Sequence, residues 1–421
     1  MKLPKTSSHL TRFVGLKLSP SFVALVAFLT LCCNGLAQQP EASPSAEVSE
    51  DTEQTLAIPT ISEYTPNTRL KVKQTLLQRS KFPSIDAHCH FGRRLRSDAD
   101  QLAAFVKTMD RHNIAVCVSF DAILGSEQDH LRFLGPHKER FVSFAYIDFI
   151  GSGKRDQPKT WACNQAGFIR QTCLQLTAAK EAGICGLKFY KQFGLRVKRS
   201  DGSLYAIDDP KWDPIWKTCS QLELPVIMHT ADPSAFFDPI TVENERYEEL
   251  ARHPDWSFHG DEFPSRDELL EARNRVIEKH PHTKFIGAHV GGGAEELARV
   301  QQWLDQYPNL WVEIASRIGE MGRQPFTARE FLIKNQDRVL FGTDGPWPEL
   351  RLTYYWRFLE THDEYFPYSE KRPQPQGLWN IYGVKLPDEV LEKIYFRNAC
   401  KLIPGLKDVY ENATGEHRAK D

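Results

Sequence analysis

The chain has 421 residues, 41% hydrophobic and 26% charged. These are the proportions of an ordinary soluble globular protein with one large domain or two smaller ones. Its 53 basic residues nearly balance 55 acidic ones, for a formal charge of −2, so composition points away from nucleic acid and anionic membrane surfaces as partners.

The N-terminus departs from this texture. Lys2, Lys5, Arg12 and Lys17 precede an apolar run from Phe22 to Leu31, and Gly35-Leu36-Ala37 then places small residues where a signal peptidase reads. This three-part pattern predicts a secretory signal over residues 1–37, removed on export to the periplasm or the exterior. A spanning helix needs about 20 apolar residues, more than this run supplies, so no membrane span is expected in the mature chain. A lipoprotein signal ending at Cys32 or Cys33 is the less favoured reading, because bulky Leu31 precedes them. Cleavage after Ala37 removes four basic and no acidic residues, which takes the formal charge from −2 to −6. It also leaves seven of the nine cysteines, an odd number that excludes a small disulfide scaffold. Cys89, Cys117 and Cys185 lie in predicted strands as small buried hydrophobes. Cys163 and Cys173 can pair in an exported protein, though no feature requires it.

Residues 38–60, "QQPEASPSAEVSEDTEQTLAIPT", are rich in Pro, Ser, Glu and Gln and are expected to form a disordered tether. One globular domain is expected over 61–412, with a short tail over 413–421. Within it, short apolar runs alternate with amphipathic stretches. The strand candidates are "SIDAHCH" from 84, "IAVCVSF" from 114, "FVSFAYID" from 141, "CGLKFY" from 185, "PVIMHT" from 225, "KFIGAHV" from 284, "LWVEIAS" from 310 and "VLFGTD" from 339. Helical readings separate them, such as "DADQLAAFVKTMDRHN", "GFIRQTCLQLTAAKEAG" and "AEELARVQQWLDQYP", the last with Leu297, Val300, Leu304 and Tyr307 at helical spacing. Near-continuous apolar strands separated by helices predict a parallel sheet covered on both faces. Eight such units predict an α/β fold, a single (β/α)₈ TIM barrel. The alternative, an open doubly wound sheet, usually has a glycine-rich phosphate turn after its first strand, and "HCHFGRR" is no such turn.

Side chains alternate along a strand, so Asp86, His88 and His90 are expected on one face and Ala87 and Cys89 on the other. Active sites of such barrels lie at the C-terminal strand ends. There the fifth strand carries His229 in "VIMHTADP", the sixth His289 in "IGAHVGGG" and the eighth Asp344 in "LFGTDGPWP". Taken alone, His229 and His289 would more often be core or capping histidines, and Asp344 can cap the next helix. Their common position at strand ends reverses that reading. His253 and His259 lack such a position and are expected on the surface or in a lid. Glu313 is expected to pair with an arginine.

The motifs "DAHCH", "MHT", "GAHVGG", "FGTDGPW" and "YFRNACKLI", spread over residues 84–403, resemble the amidohydrolase superfamily of metal-dependent hydrolases. The resemblance is nearest to the amidohydrolase-related branch that includes aminocarboxymuconate-semialdehyde decarboxylase. It implies that His88, His90, His229 and Asp344 bind a divalent metal, and that His289 assists catalysis or binds a second ion. Three imidazoles and a carboxylate suit Zn²⁺ first, with Mn²⁺, Fe²⁺ and Co²⁺ compatible by ligand type. A zinc-bound water ionises near about pH 7. Asp344 is then the expected proton acceptor, and His289 the group that polarises the substrate carbonyl or its oxyanion. The implied activity is hydrolysis of an amide, lactone or ester. Non-oxidative decarboxylation of a small unsaturated or aromatic acid is the alternative, and a non-catalytic exported ligand-binding barrel the second.

The expected partner is a small molecule, and homo-oligomerisation is left open. Arg93 and Arg94 after the first strand and Arg317 after the seventh are candidates to hold a substrate carboxylate, set against local pairing with Glu313 or Glu320. The segment from Asp232 to Lys284 carries Phe236, Phe237, Tyr247, Trp256 and Phe258 and reads as an aromatic lid or as a fastened insertion. Lys188 and Tyr190, on one face of the fourth strand, are further candidates for substrate binding. A buried lysine cannot stay charged and unpaired without cost. Lys188 is open to pairing with Asp86 or Asp344, to a substrate-binding role, or to a carbamate bridging a second metal. One metal and an unmodified Lys188 are expected.

Overall fold

The structure is a computed structural model that describes residues 56–60, 63–372 and 374–415. The expected signal, residues 1–37, and the tether up to residue 55 lie outside the described residues, as does the end of the tail, 416–421. Ahead of the barrel, Thr60 Oγ1 donates to Glu63 Oε2 at 2.7 Å. From Thr65 onward the chain forms one unit.

Eight strands pair in chain order, all parallel. They are β1 (Ser84–Cys89), β2 (Ile114–Ile123), β3 (Phe141–Tyr146), β4 (Ile184–Phe189), β5 (Val226–Met228), β6 (Phe285–Gly287), β7 (Leu310–Glu313) and β8 (Val339–Leu340). Each predicted run holds one of them. Backbone bonds between β1 and the chain beyond β8 bring the ends of the sheet together: Ala87 N–H donates to Phe341 O at 3.0 Å and His90 N–H to Gly345 O at 2.7 Å. The sheet is a nearly closed (β/α)₈ TIM barrel.

A helix follows each strand on the outside. Ala99–His112, Phe168–Glu181 and Leu297–Gln306 fall within the three helical stretches named above. Apolar spacing selects the buried stripe of each helix, and capping selects its start: Asp98 accepts from the N–H groups of Asp100 and Gln101, and Ser265 and Glu268 form a reciprocal capping box at the head of Arg266–Lys279, which satisfies otherwise orphaned donors.

Two apolar cores result. The inner one fills the barrel with Ile85, Val116, Val118, Phe120, Phe144, Ile227, Ile286 and Leu340. Leu402, Leu406 and Tyr410 extend it, and Tyr410 Oη donates to Pro83 O at 3.1 Å, so the C-terminal helix (Leu406–Thr414) closes the N-terminal end of the barrel. It runs two residues past the predicted boundary at 412. The outer core lies between strands and helices and holds Cys89 and Cys117, both buried. Cys185 is only partly buried, and Cys163 and Cys173 stand as separate thiols.

One local feature departs from the expected alternation. Asp86 pairs with Cys117 and Cys89 with Ser119, three steps on β1 against two on β2. This is a β-bulge, which adds a residue and re-aims the side chains after it. Ile85 and Ala87 belong to the inner core. Asp86 instead accepts from Thr343 N–H at 2.9 Å and from Thr343 Oγ1, while His88 packs on Phe120 inside the barrel. Asp86 is a buried clasp between β1 and β8, not a member of the histidine face.

Candidate metal centre

The bulge delivers His88 and His90 together. Their Nε2 atoms are 3.3 Å apart. Asp344 Oδ1 lies 3.7 Å from the first and 3.4 Å from the second. Ligand atoms about 2.0–2.2 Å from one ion at tetrahedral angles stand roughly 3.4 Å from each other, so the triangle has the dimensions of a metal site.

The other ring nitrogens are held by carboxylates. His88 Nδ1–H donates to Glu313 Oε1 at 2.8 Å and His90 Nδ1–H to Asp121 Oδ1 at 2.9 Å. A carboxylate on Nδ1 fixes the tautomer in which Nε2 keeps its lone pair for a metal. Burial holds the His88 imidazole well below its ordinary pKa, in the neutral form a metal requires. Burial pushes the Asp121 carboxyl up, but bonds from His90 and from Arg93 N–H outweigh it and leave Asp121 below the usual carboxylate range.

Asp344 has a left-handed backbone, φ 62°, and its Oδ2 accepts from Ser316 Oγ at 3.2 Å. Burial raises its carboxyl, and the nearby His88, His90 and Arg94 lower it further, for a net pKa of about 2. Gly342 makes room for the triangle. A Cβ there would come within 3.1 Å of both His88 Cβ and Glu313 Oε2.

Glu313, expected to pair with an arginine, is the hub of the floor. It is wholly buried and accepts from His88, from His289 N–H at 2.7 Å and from Ala315 N–H. His289 begins a left-handed stretch: φ is 57°, 59°, 63° and 74° from His289 to Gly292, with β-branched Val290 inside it. His289 Nδ1–H donates to Ala315 O at 2.8 Å, and burial keeps the ring neutral. Its Nε2 therefore carries a lone pair. A neutral His289 of this tautomer presents Nε2 as a proton acceptor.

His229 lies beside it, with ring centroids 4.3 Å apart. Its Nε2 faces Asp232 Oδ1 at 3.3 Å, and Asp232 also takes Lys191 Nζ at 2.5 Å. Two triangles converge here, His88 with His90 and Asp344 and His88 with His289 and Glu313, and His229 stands next to them rather than in either. Burial lowers His229 to a pKa of about 4, so it too is neutral.

Lys188 forms no ion pair with Asp86 or Asp344. Its buried Nζ has no hydrogen-bond partner among the described residues and lies 4.9 Å from the Phe120 ring centroid and 5.5 Å from that of Tyr190. Burial lowers its pKa. Tyr190 Oη donates to Phe120 O at 2.9 Å and to Asp121 Oδ1 at 3.2 Å, so it braces the wall.

A cavity of about 1020 Å³ opens above the triangle. Arg93, Arg94 and Arg317 all line it, as does Arg351. Glu320, expected as a local partner for Arg317, is instead bonded to Arg246. The segment after β5 supplies Phe236, Trp256 and Phe258 to the wall, while Phe237 packs behind on Phe258 and Tyr247 is exposed. His253, also lining the mouth, stacks on Trp256 at 4.1 Å. A second flap after the helix Glu349–Glu360 adds Lys371 and Gln376. Sequence reasoning missed that flap, Arg351, and the supporting carboxylates Asp121 and Asp232. The one available signal for Asp232 was its spacing of three from His229.

The sequence profile of the amidohydrolase family matches residues 85–405. The chain belongs to the amidohydrolase family. Solved structures of similar layout include a 4-oxalomesaconate hydratase from Rhodopseudomonas palustris, at 14% identity and TM-score 0.46 over 80% of this chain and 99% of that one. A probable 2-pyrone-4,6-dicarboxylic acid hydrolase from Acinetobacter baumannii shares 13% identity at TM-score 0.43 over 76% and 99%. A dihydroxybenzoic acid decarboxylase from Polaromonas, solved with bound manganese and an inhibitor, shares 17% at TM-score 0.42 over 76% and 96%. Family members are enzymes that bind a divalent metal, and in this amidohydrolase the donor set of two neutral imidazoles and one carboxylate fits such an ion.

Proposed function

We propose that this amidohydrolase is a metal-dependent hydrolase that opens a C–N or C–O bond, as in an amide, lactone or ester, of a small carboxylate-bearing substrate. The carrying observation is the triangle of His88 Nε2, His90 Nε2 and Asp344 Oδ1 on the floor of a cavity lined by arginines. A divalent ion held there supplies Lewis acidity and favours ionisation of water; Zn²⁺ suits the donors, and Mn²⁺ accepts the same types.

The chain's own groups do the rest. Asp344, ionised and held by Ser316, accepts a proton. His289 offers a second lone pair at Nε2, because Ala315 O occupies its Nδ1–H. Arg94, 3.5 Å from Asp344 Oδ1, and Arg317 sit where a substrate carboxylate can be held bidentately. Both acid–base groups on the floor are in proton-accepting form, which suits drawing a proton from water. Decarboxylation is the second reading, favoured by the position of Arg317 beside the floor, where a guanidinium can grip the carboxylate to be lost. It needs a donor to protonate carbon, as hydrolysis needs one for its leaving group, and Asp344 or His289 becomes that donor once it has taken a proton.

The test is to incubate metal-loaded protein with lactones, amides, esters and aromatic acids while following acid release by pH-stat and trapping labelled CO₂. Hydrolysis gives acid without CO₂. Release of CO₂ matched to substrate loss reverses the ranking, and turnover of none of them leaves the ligand-binding barrel.

A further inference from the structure

Arg317 and Arg351 are each only 7% exposed, and both line the cavity. Neither is ion-paired among the described residues, and Glu249, the cavity carboxylate that Arg317 influences, is bonded to Arg246. Arg317 gives one bond, from Nη1 to the Ser316 carbonyl at 2.8 Å. Arg351 lies with its guanidinium 3.9 Å from the centroid of Trp347, and Arg94 lies 4.0 Å from the same indole. A guanidinium taken out of water without a counter-charge is costly, and stacking on an indole leaves its N–H edge unspent. Arg317 enters from the loop after β7 and Arg351 from the helix after β8, so the two charges reach the cavity from different elements. Asp344, the acid nearest to Arg94, is committed to the metal triangle and neutralises neither.

We propose that Arg351, stacked on Trp347, and Arg317 form two separate anion subsites, so that the natural ligand carries two carboxylates, one held in each. This rests on the reading of the cavity as the substrate site. It assigns Arg351 the choice of dianions over monoanions. The planar fork of each guanidinium matches a carboxylate with two parallel N–H···O bonds.

The test is binding to the holoprotein, measured by calorimetry and by tryptophan fluorescence. The probes are succinate, glutarate, adipate and isophthalate, each against its monocarboxylate counterpart, the last being benzoate. At least one dicarboxylate is expected to bind about tenfold tighter than its counterpart, or ~1.4 kcal/mol. Arg351→Met is expected to bring that ratio to near one. Arg351→Lys keeps the charge, loses the fork and serves if the Met variant does not fold; it is expected to lower the ratio about threefold or more. Ratios near one for every pair, or a ratio unchanged in the variants, overturn the proposal. Metal analysis on the same samples separates the two readings. A tenfold ratio in protein that takes up no metal sinks the hydrolase and keeps the subsites, and a ratio near one in metal-loaded protein does the reverse.

Discussion

Glu313 accepts from a histidine that faces the metal position and from the backbone of another that faces the cavity. Replacing it with Gln keeps the volume but sets an amide N–H against Ala315 N–H, which bonds Oε2, or, if the amide turns over, against the His88 and His289 donors that share Oε1. Such supporting carboxylates are commonly worth a factor of about 10–100 in metal affinity. Glu313→Gln is therefore expected to weaken metal binding by that range in a chelator competition titration, and unchanged affinity would show that the bond to His88 does not tune the site. Direct ligands should behave more severely. His88→Ala and His90→Ala are each expected to lower bound metal and abolish turnover, His229→Ala, beside the triangle, to lower bound metal less than either, and His289→Ala to slow turnover more than it lowers bound metal. If His289→Ala loses metal as completely as His88→Ala, its assignment to the substrate side is wrong.

Two short elements carry most of the site's geometry. The bulge in β1 turns Asp86 toward Thr343 and leaves both histidines in the barrel mouth. The left-handed turn after β6 presents His289, and it is held from outside by one helix: Arg273 donates to Gly291 O, and Arg266 to Gly292 O at 2.7 Å and to Asp232 O at 3.3 Å. These bonds offset backbone conformations that cost roughly 1–2 kcal/mol per non-glycine residue. At Gly292, φ is 74° and a Cβ would meet the Thr230 carbonyl oxygen at 2.6 Å. Gly292→Ala is expected to lose about 2 kcal/mol or more by denaturant unfolding. A loss below about 0.5 kcal/mol would mean that the turn relaxes freely, and that His289 is not rigidly placed.

At the scale of the molecule, the barrel mouth carries two candidate ligand triangles that share His88, one with His90 and Asp344 and one with His289 and Glu313, and a buried Lys188 with no hydrogen-bond partner among the described residues lies among the aromatic rings inside. One metal per chain and an unmodified Lys188 are expected. Metal analysis together with native mass spectrometry checks this: two equivalents of metal and a Lys188 peptide heavier by one CO₂ would establish a bridged pair. We also propose export, on the charged start, the apolar run and Gly35-Leu36-Ala37. N-terminal sequencing of the exported protein is expected to begin near Gln38, and a product that keeps Phe22 to Leu31 would mean an anchor.

Strand order, barrel class and the candidate residues His88, His90, His289 and Asp344 were legible in the sequence. Apolar runs alternating with helical spacing have one economical parallel solution, and a histidine or aspartate closing such a run must stand at the barrel mouth. The bulge was not legible, because period-two alternation assumes an uninterrupted ladder and the extra residue is seen only against β2. Nor were the partners: Glu313 with His88, Asp121 with His90 and Arg351 on Trp347 join residues far apart in the chain. Residue type and local spacing set what a side chain can do. Which nitrogen of His289 holds the proton, and which arginines are left without an ion pair among the described residues, were decided only when the barrel closed and set a carbonyl beside the one and no bonded carboxylate beside the others.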